Sequence, residues 1–454
     1  MPRCCANSIE ARVTKIHPEE SLGANPGDAA LNPADSVAMG LPAAEVRVEE
    51  RTGSFRALSH KPFRLLFTAF IINQTGFWIS HLSLQAQMTQ LTNNDTRLIG
   101  LLFFFLFLPA FVFAPLAGVA ADRFDRKIIV ISCYTLIAIC CGVLSTLTAT
   151  GAMTPNRMLV VAFCMGLSFA FSGPASFAIA ANTVPQEDLP SAVSLQSAAN
   201  NLTRVLGPFI ATPLVATGRF DISFASYLVA ALIAASLTLL MKIERFVPRD
   251  DETGIWNRMY NGFTHAQERH PAVPALSLVA TLSFFGVSHT VLFSAYATDI
   301  LNDGRYFTWL VCATGVGAVA GALRSGRDKN PGIATAAGQL IVYGCALGVF
   351  ALTDVLVIAL LAQVVIGYCY FAVMTSLQTL IQQVVDESMR GRVMSLFQVC
   401  WAGLVPFGSL TMGYIAKPIG TSTTLLAAAL VCVGYGATML LFSRRWPRPT
   451  IATA

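Results

Sequence analysis

Between Lys61 and Arg445 nearly every Asp, Glu, Lys and Arg lies in a short cluster. The clusters are separated by apolar stretches of about 20 residues, the length at which a helix spans a bilayer. The chain has 454 residues, of which 54% are hydrophobic and only 12% charged, against about 25% charged in a typical soluble domain. A soluble enzyme with one or two cores does not have this pattern. The chain reads as an all-α polytopic membrane protein.

Twelve spans are expected, at 63–90, 98–119, 128–150, 157–182, 191–216, 222–242, 272–299, 306–324, 333–352, 354–382, 393–416 and 421–443. The longest internal polar stretch, Lys242–His270, divides them into six and six. The expected organisation is a flexible tail over 1–58, a first half over 59–242, a linker over 243–271, a second half over 272–443 and a short tail over 444–454. The first tail is polar and rich in Ala, Pro, Glu and Arg, and such a composition does not bury a core. It lacks a basic segment followed by an apolar one, so it is not a secretory signal. Of the 30 Lys and Arg, 24 fall on the side of the two tails, 5 on the opposite side, and Arg204 inside a span. By the positive-inside rule both tails and the linker are then cytoplasmic. Nine of the 11 cysteines lie within spans, where cysteine acts as a small hydrophobe, and no paired C-x-x-C spacing suggests a metal.

Two apolar spans are joined by Gly118-Val119-Ala120-Ala121-Asp122-Arg123-Phe124-Asp125-Arg126-Lys127, which carries five charges in six positions. The halves also echo one another. Ser194-Leu195 and Gly207 recur as Ser395-Leu396 and Gly408, 201 residues on, and Ser80-His81 recurs as Ser288-His289, 208 residues on. Three longer stretches add to this: Leu108-Pro109 leading into Gly118–Lys127; Val184-Pro185-Gln186-Glu187-Asp188-Leu189 continuing through Asn200-Asn201-Leu202-Thr203-Arg204 to Gly207-Pro208; and Asp386-Glu387-Ser388-Met389-Arg390-Gly391-Arg392-Val393-Met394-Ser395. With them the chain, over about residues 60–445, resembles the branch of the major facilitator superfamily that contains bacterial siderophore exporters and macrolide or multidrug efflux permeases. The resemblance implies two pseudo-symmetric six-helix halves with substrate held between them near mid-membrane. It also implies a conformational latch at Asp122 that bridges the halves on the cytoplasmic side, with Gly118, Arg123, Arg126, Lys127, Arg390 and Arg392 as its other members. A plain basic anchor of topology is the competing reading of those charges. The chain departs from the pattern at Asp125, where a glycine is usual. Its span-5 antiporter signature keeps Gly207-Pro208, a helix-bend candidate, but has Thr203 and no Gly-Gly after Pro208.

Ionisable groups inside spans are costly and usually functional. Near the middle of the spans there is no Asp or Glu, which leaves His81, Arg204 and His289. Gln196, Asn200 and Arg204 share one helical face. An anionic substrate would satisfy the guanidinium, and so would a structural lock to carbonyls or amides. His81 belongs to a stripe Gln74–Trp78–His81–Gln85–Met88, spaced to share one face, and His289 is followed two turns on by Tyr296. A histidine near its reference pKa of about 6.5 can exchange a proton during transport; the competing role is a neutral, satisfied core histidine. A further stripe, Gln363–Gly367–Tyr370–Met374–Gln378, is either cavity lining or packing. The candidates for substrate binding or proton coupling are therefore Gln74, His81, Gln85, Asn200, Arg204, His289, Tyr296, Gln363 and Tyr370.

No phosphate-cradling glycine loop, nucleophile–base pair or nucleic-acid-binding pattern appears, and no cofactor or metal is expected. The expected function is secondary active export of small hydrophobic or amphipathic molecules, drugs or a siderophore, by proton antiport. The expected setting is a monomer in the bacterial plasma (inner) membrane, its partners being a small-molecule substrate, protons and the lipid bilayer. Facilitated metabolite uptake, or a transporter-like receptor or scaffold without flux, are the alternatives.

Overall fold

The computed structural model describes residues 55–242, 263–268, 271–325 and 332–443; the side chains of a few residues within these ranges, Asp122 and Arg390 among them, lie outside that description. The expected tail over 444–454 and nearly all of the linker lie outside the described residues as well. Every described element is helical. Hydrocarbon offers no partners to backbone N–H and C=O groups, and a helix satisfies them within the segment.

The first half runs through α1 (Lys61–Leu91), α2 (Thr96–Val112), α3 (Ala114–Arg123), α4 (Arg126–Ala149), α5 (Pro155–Ala181), α6 (Leu189–Ala216) and α7 (Phe220–Leu240). The second contains α8 (Ala272–Thr281), α9 (Phe293–Asp299), α10 (Tyr306–Ser325), α11 (Ile333–Leu352), α12 (Leu356–Val384), α13 (Glu387–Gln398), α14 (Val405–Ile419) and α15 (Thr421–Ser443). Between α8 and α9 the backbone passes through a π turn, Leu282–Gly286, and a 3-10 stretch, Val287–Leu292; a second π turn, Val399–Gly403, separates α13 from α14. Eight segments are long and apolar enough to cross a membrane, and two further helices are apolar but shorter. Helices α1 and α6 are long yet too polar to qualify, because they carry Gln74, His81, Gln85, Gln87, Gln196, Asn200 and Arg204. The chain is a multi-pass membrane protein.

Short caps start the helices. Asp95 accepts the Arg97 N–H at 3.0 Å and Asp125 accepts the Lys127 N–H at 2.8 Å, satisfying donors a helix start otherwise leaves open. At the end of the bundle away from the basic loops, hereafter the opposite end, Asn93, Asn94, Gly151, Gly218, Asn302 and Gly420 adopt positive φ. Left-handed Asn and Gly permit such tight reversals.

The two halves repeat one packing scheme. Helix α4 packs on α5 and α7, as α11 packs on α12 and α15; α2 packs on α5, as α10 packs on α12. The glycines 201 residues apart take equivalent places. A Cβ on Gly207 would collide with Trp78 of α1, and one on Gly408 would collide with Ser288 and the Phe284 carbonyl of the equivalent segment. Between halves, α2 lies on α14 and α6 on α10.

Ordered structure begins before residue 59. A 3-10 turn over Arg56–Ser59 brings Ala57, fully buried, beside Ser191, while Arg56 Nε and His60 Nε2 meet the Asp188 carboxylate at 3.1 and 2.8 Å.

Candidate functional site

A cavity of about 180 Å³ lies between the halves. Its walls come from α1, α2 and α6 on one side and from the α8–α9 segment, α10, α11, α12 and α14 on the other. Most of the lining is apolar or aromatic. The polar groups are few: His81, Gln85, Arg204, His289, Thr290, Thr314, Tyr343 and Tyr370.

The roof of the cavity, toward the opposite end, is Gln85. Its side-chain amide donates to the Thr290 and Val291 carbonyls, each at 3.0 Å. Both carbonyls belong to the 3-10 stretch of the second half, and that of Thr290 also accepts the Phe293 N–H. Further ties between halves gather beyond this roof. Thr96 Oγ1 donates to the Gly413 carbonyl at 2.8 Å, Asn94 Nδ2 donates to Asp299 at 2.6 Å, and Lys417 stands 3.6 Å from Asp95. The Asp95 carboxyl lies below its ordinary range, chiefly through the hydrogen bond from Arg97 and also through Lys417. Gly100 and Gly413 allow α2 and α14 to touch by their backbones.

The floor is Arg204. Its guanidinium lies 5.4 Å from the Trp78 ring centroid and 4.7 Å from that of Phe371. It also reaches the Tyr370 hydroxyl, which accepts the Trp401 indole N–H at 2.6 Å. One cation from the first half thus meets three aromatic side chains of the second half or its own. Gly207 sets Trp78 in place, since any side chain at 207 would displace it. Helix α6 continues through Gly207-Pro208 to Ala216, and Gly207 is also a close contact between α6 and α1.

The two histidines have unlike surroundings. His81 is boxed by rings, with Phe103, Phe77 and Trp78 at centroid distances of 5.0, 5.3 and 5.7 Å. Among the described residues no hydrogen bond to it is seen. His289 is wired into a network: Nδ1 meets the Gly286 carbonyl at 2.5 Å and the Tyr343 hydroxyl at 3.3 Å, and Nε2 faces Gln363 Oε1 at 3.5 Å. Gln363 Oε1 also accepts the Thr314 hydroxyl at 3.0 Å, and Gln363 Nε2 has no partner among the described residues.

Other expected site residues lie elsewhere. Gln74 donates to Asn200 at 3.0 Å, tying α1 to α6 away from the cavity. Tyr296 is not lining. It is fully buried, its ring stacks on Phe350 at 4.1 Å, and its hydroxyl donates to the Phe350 carbonyl at 2.6 Å and to that of Thr353. It stands four residues after the end of the 3-10 stretch, and both it and His289 lie against the Phe350 ring. Gly367 is a packing position beside Thr314. At the basic end, Lys127 Nζ donates to the Leu239 and Met241 carbonyls at 2.9 and 2.7 Å, Arg126 Nε to the Ala121 carbonyl at 2.9 Å, and Arg392 approaches Met389 Sδ at 3.5 Å. These bonds each stay within one half. Arg123 is exposed. Open space faces Gly118, with nothing within 4 Å of where a Cβ would stand. The side chains of Asp122 and Arg390 are outside the described residues.

Sequence reading missed Phe103, Phe107, Phe293 and Phe371 as lining. The run Phe103-Phe104-Phe105 with Phe107 was a usable signal; the donor from Trp401 to Tyr370 had none. Among the described residues no group of three His, Cys, Asp or Glu gathers as a metal site.

Residues 52–448 match the family described as transmembrane secretion effector. The chain is 25% identical over 383 residues to the enterobactin exporter EntS of Shigella boydii serotype 4, covering 82% of this chain and 88% of that protein. It is 24% identical over 346 residues to macrolide efflux protein A of Streptococcus pyogenes, covering 72% of this chain and 84% of that one. A solved structure of a bacterial homologue of the human lysosomal transporter Spinster, inward-facing and unoccupied, aligns with a TM-score of 0.66 at 15% identity, over 88% of this chain and 100% of that chain. That likeness speaks for the fold, and the fold is the major facilitator fold. The chain belongs to the transmembrane secretion effector family of the major facilitator superfamily.

Proposed function

We propose that this protein is a secondary active exporter that moves small hydrophobic or amphipathic molecules, a drug or a siderophore, out of the cytoplasm in exchange for protons. The observation that carries the reading is the cavity itself: one chain supplies both walls, mostly apolar or aromatic, with a handful of polar groups. The exporters among the relatives support the direction of transport. A monomer suffices, with all of its described spans in the bacterial inner membrane and both termini cytoplasmic, as the basic loops favour.

With the basic end cytoplasmic, the ties at Gln85, Thr96, Asn94 and Lys417 close the outer side, and the conformation corresponds to an inward-facing state. Alternating access then breaks these ties and closes the basic end. There the latch of Gly118, Asp122, Arg123, Arg126, Lys127, Arg390 and Arg392 engages in the outward-facing state. The open space beside Gly118 fits a surface that is occupied only in that other state.

His289 is the proton carrier in this reading. Its Nδ1 faces a carbonyl, which only accepts, so Nδ1 keeps its proton and Nε2 titrates. Gln363 suits either form. Its amide nitrogen donates to the neutral ring, and its oxygen accepts from the charged one. His81, held by rings alone, contacts the cargo.

The test uses inverted membrane vesicles and a panel of fluorescent amphiphiles. An imposed proton gradient should drive accumulation of at least one, and a protonophore should abolish it. Flux indifferent to the gradient would sink antiport, and no flux for any compound would favour a scaffold. Asp122→Asn should lower transport while membrane insertion stays normal; full activity would remove the latch.

A further inference from the structure

We infer that the cargo is an organic anion, an acidic head on a flat apolar body, and that Arg204 is its anchor. The inference deepens the export reading and rests on it for the direction of movement. Three observations carry it. The first is the missing counter-charge: among the described lining residues there is no Asp or Glu, and the spans hold none near their middles. A buried charge without a partner is expensive. The second is that a lock would rest on the Tyr370 hydroxyl alone, which also accepts the Trp401 indole N–H. The amide four residues before Arg204, Asn200, spends its oxygen on Gln74, and Arg204 Nε meets no acceptor among the described residues. The third is geometry. Trp78 and Phe371 lie against the guanidinium plane at 5.4 and 4.7 Å. Aromatic contacts of this kind occupy the faces of a guanidinium and leave its N–H edge, which matches a carboxylate in a bidentate fork.

The rest of the cavity suits the same class. Phe103, Phe107, Phe293 and Phe371 offer ring surface to an apolar body, and His81 and His289 can add positive charge but never negative. A basic amphiphile would meet a fixed cation with no acid to relieve it.

Purified full-length protein in lipid nanodiscs is titrated by calorimetry at neutral pH with three matched probes: 2-naphthoate, 2-naphthamide and 2-naphthylmethylamine. Naphthoate should bind about 10- to 100-fold tighter than the amide, the ratio a charge-assisted hydrogen bond supports, and the amine should bind most weakly. Arg204→Gln should erase the preference and leave amide binding little changed, while Arg204→Lys should keep part of it. Amide or amine binding as tight as naphthoate overturns the inference, as does an intact preference in Arg204→Gln or no binding of all three at millimolar concentration. A preference for the acid without gradient-driven flux in vesicles would sink the export reading and leave this one standing. Flux of neutral or cationic amphiphiles with no preference for acids would do the reverse.

Discussion

Replacing Gln85 by leucine should unlock the outer side of the cavity. Gln85 is 2% exposed and of similar size to leucine, so the change removes polarity and not bulk. It strips the Thr290 and Val291 carbonyls of their side-chain donor; Thr290 keeps the Phe293 N–H, so the cost falls on the Val291 carbonyl. Each buried carbonyl left unmet costs about 1–3 kcal/mol. In the state opened on this side, water reaches both groups and the cost vanishes. This should shift the balance toward that state by about 1–3 kcal/mol, a factor of roughly 5 to 150. The assay is reaction of Thr290→Cys, a cavity-lining position, with a membrane-impermeant maleimide added from the outer side, in a background whose native cysteines are replaced. While the closed form still dominates, the labelling rate scales with the open fraction. It should therefore rise about fivefold or more in Gln85→Leu. A rate within twofold of the parent would refute the account of the roof as a hydrogen-bonded gate.

The histidines should separate. His289→Gln and Gln363→Leu should each flatten the pH dependence of transport, whereas His81→Ala should weaken cargo binding and leave the pH profile in place; the reverse pattern would exchange their roles. The Asp95 carboxyl, whose ordinary value is 3.8, is depressed by Arg97 and Lys417. A group depressed in the folded state contributes stability above its ordinary pKa and loses it only as pH falls through the lower folded value. Labelling of Thr290→Cys from outside should therefore be unchanged between about pH 7 and about pH 5 and rise in Asp95→Asn; a rise within that pH window would put another group in control. If an anion leaves while a proton enters, each cycle moves two charges. A membrane potential then contributes about 4.6 kcal/mol per 100 mV to the exchange, and a potassium–valinomycin potential alone, without a pH gradient, should drive it. Flux insensitive to that potential would rule out a charged cargo.

Much of the architecture could be read directly. Charge clusters at regular spacing betray spans because an ion in hydrocarbon is costly wherever it falls, and eight of the described segments meet the length and apolarity expected of one. Helices α1 and α6 fall short of the same apolarity for a reason that is itself informative. The residues that make them polar, Gln74, His81, Gln85, Asn200 and Arg204, are half of the story of the cavity. Which of those five line it was not readable. Gln74 and Asn200 have the right periodicity but satisfy one another, because periodicity names a face and not what the face meets. Tyr296 was misplaced for a related reason. Counting two turns from His289 assumes an unbroken α-helix, and the π and 3-10 turns between α8 and α9 change the angle per residue. The roof depends on carbonyls, which no side-chain pattern reveals.

The repeat explains why two equivalent histidines came to differ. A shift of 208 residues maps His81 onto His289, Phe77 onto Phe285 and Trp78 onto Gly286. In the first half the tryptophan sits in the regular helix α1, so its neighbourhood offers the histidine rings and no spare acceptor. In the second half the glycine marks the end of a π turn, and its carbonyl meets His289 Nδ1. Gly286 also admits Tyr343: a Cβ there would stand 3.1 Å from the tyrosine ring. A side chain at 286 would thus push away the hydroxyl that completes the network. One position decides whether the histidine is walled by rings or wired by hydrogen bonds. The same tryptophan that denies His81 an acceptor gives Arg204 an aromatic face. On the proposed function, loss of symmetry at that single pair places the fixed cation on one side of the cavity and the exchangeable proton on the other.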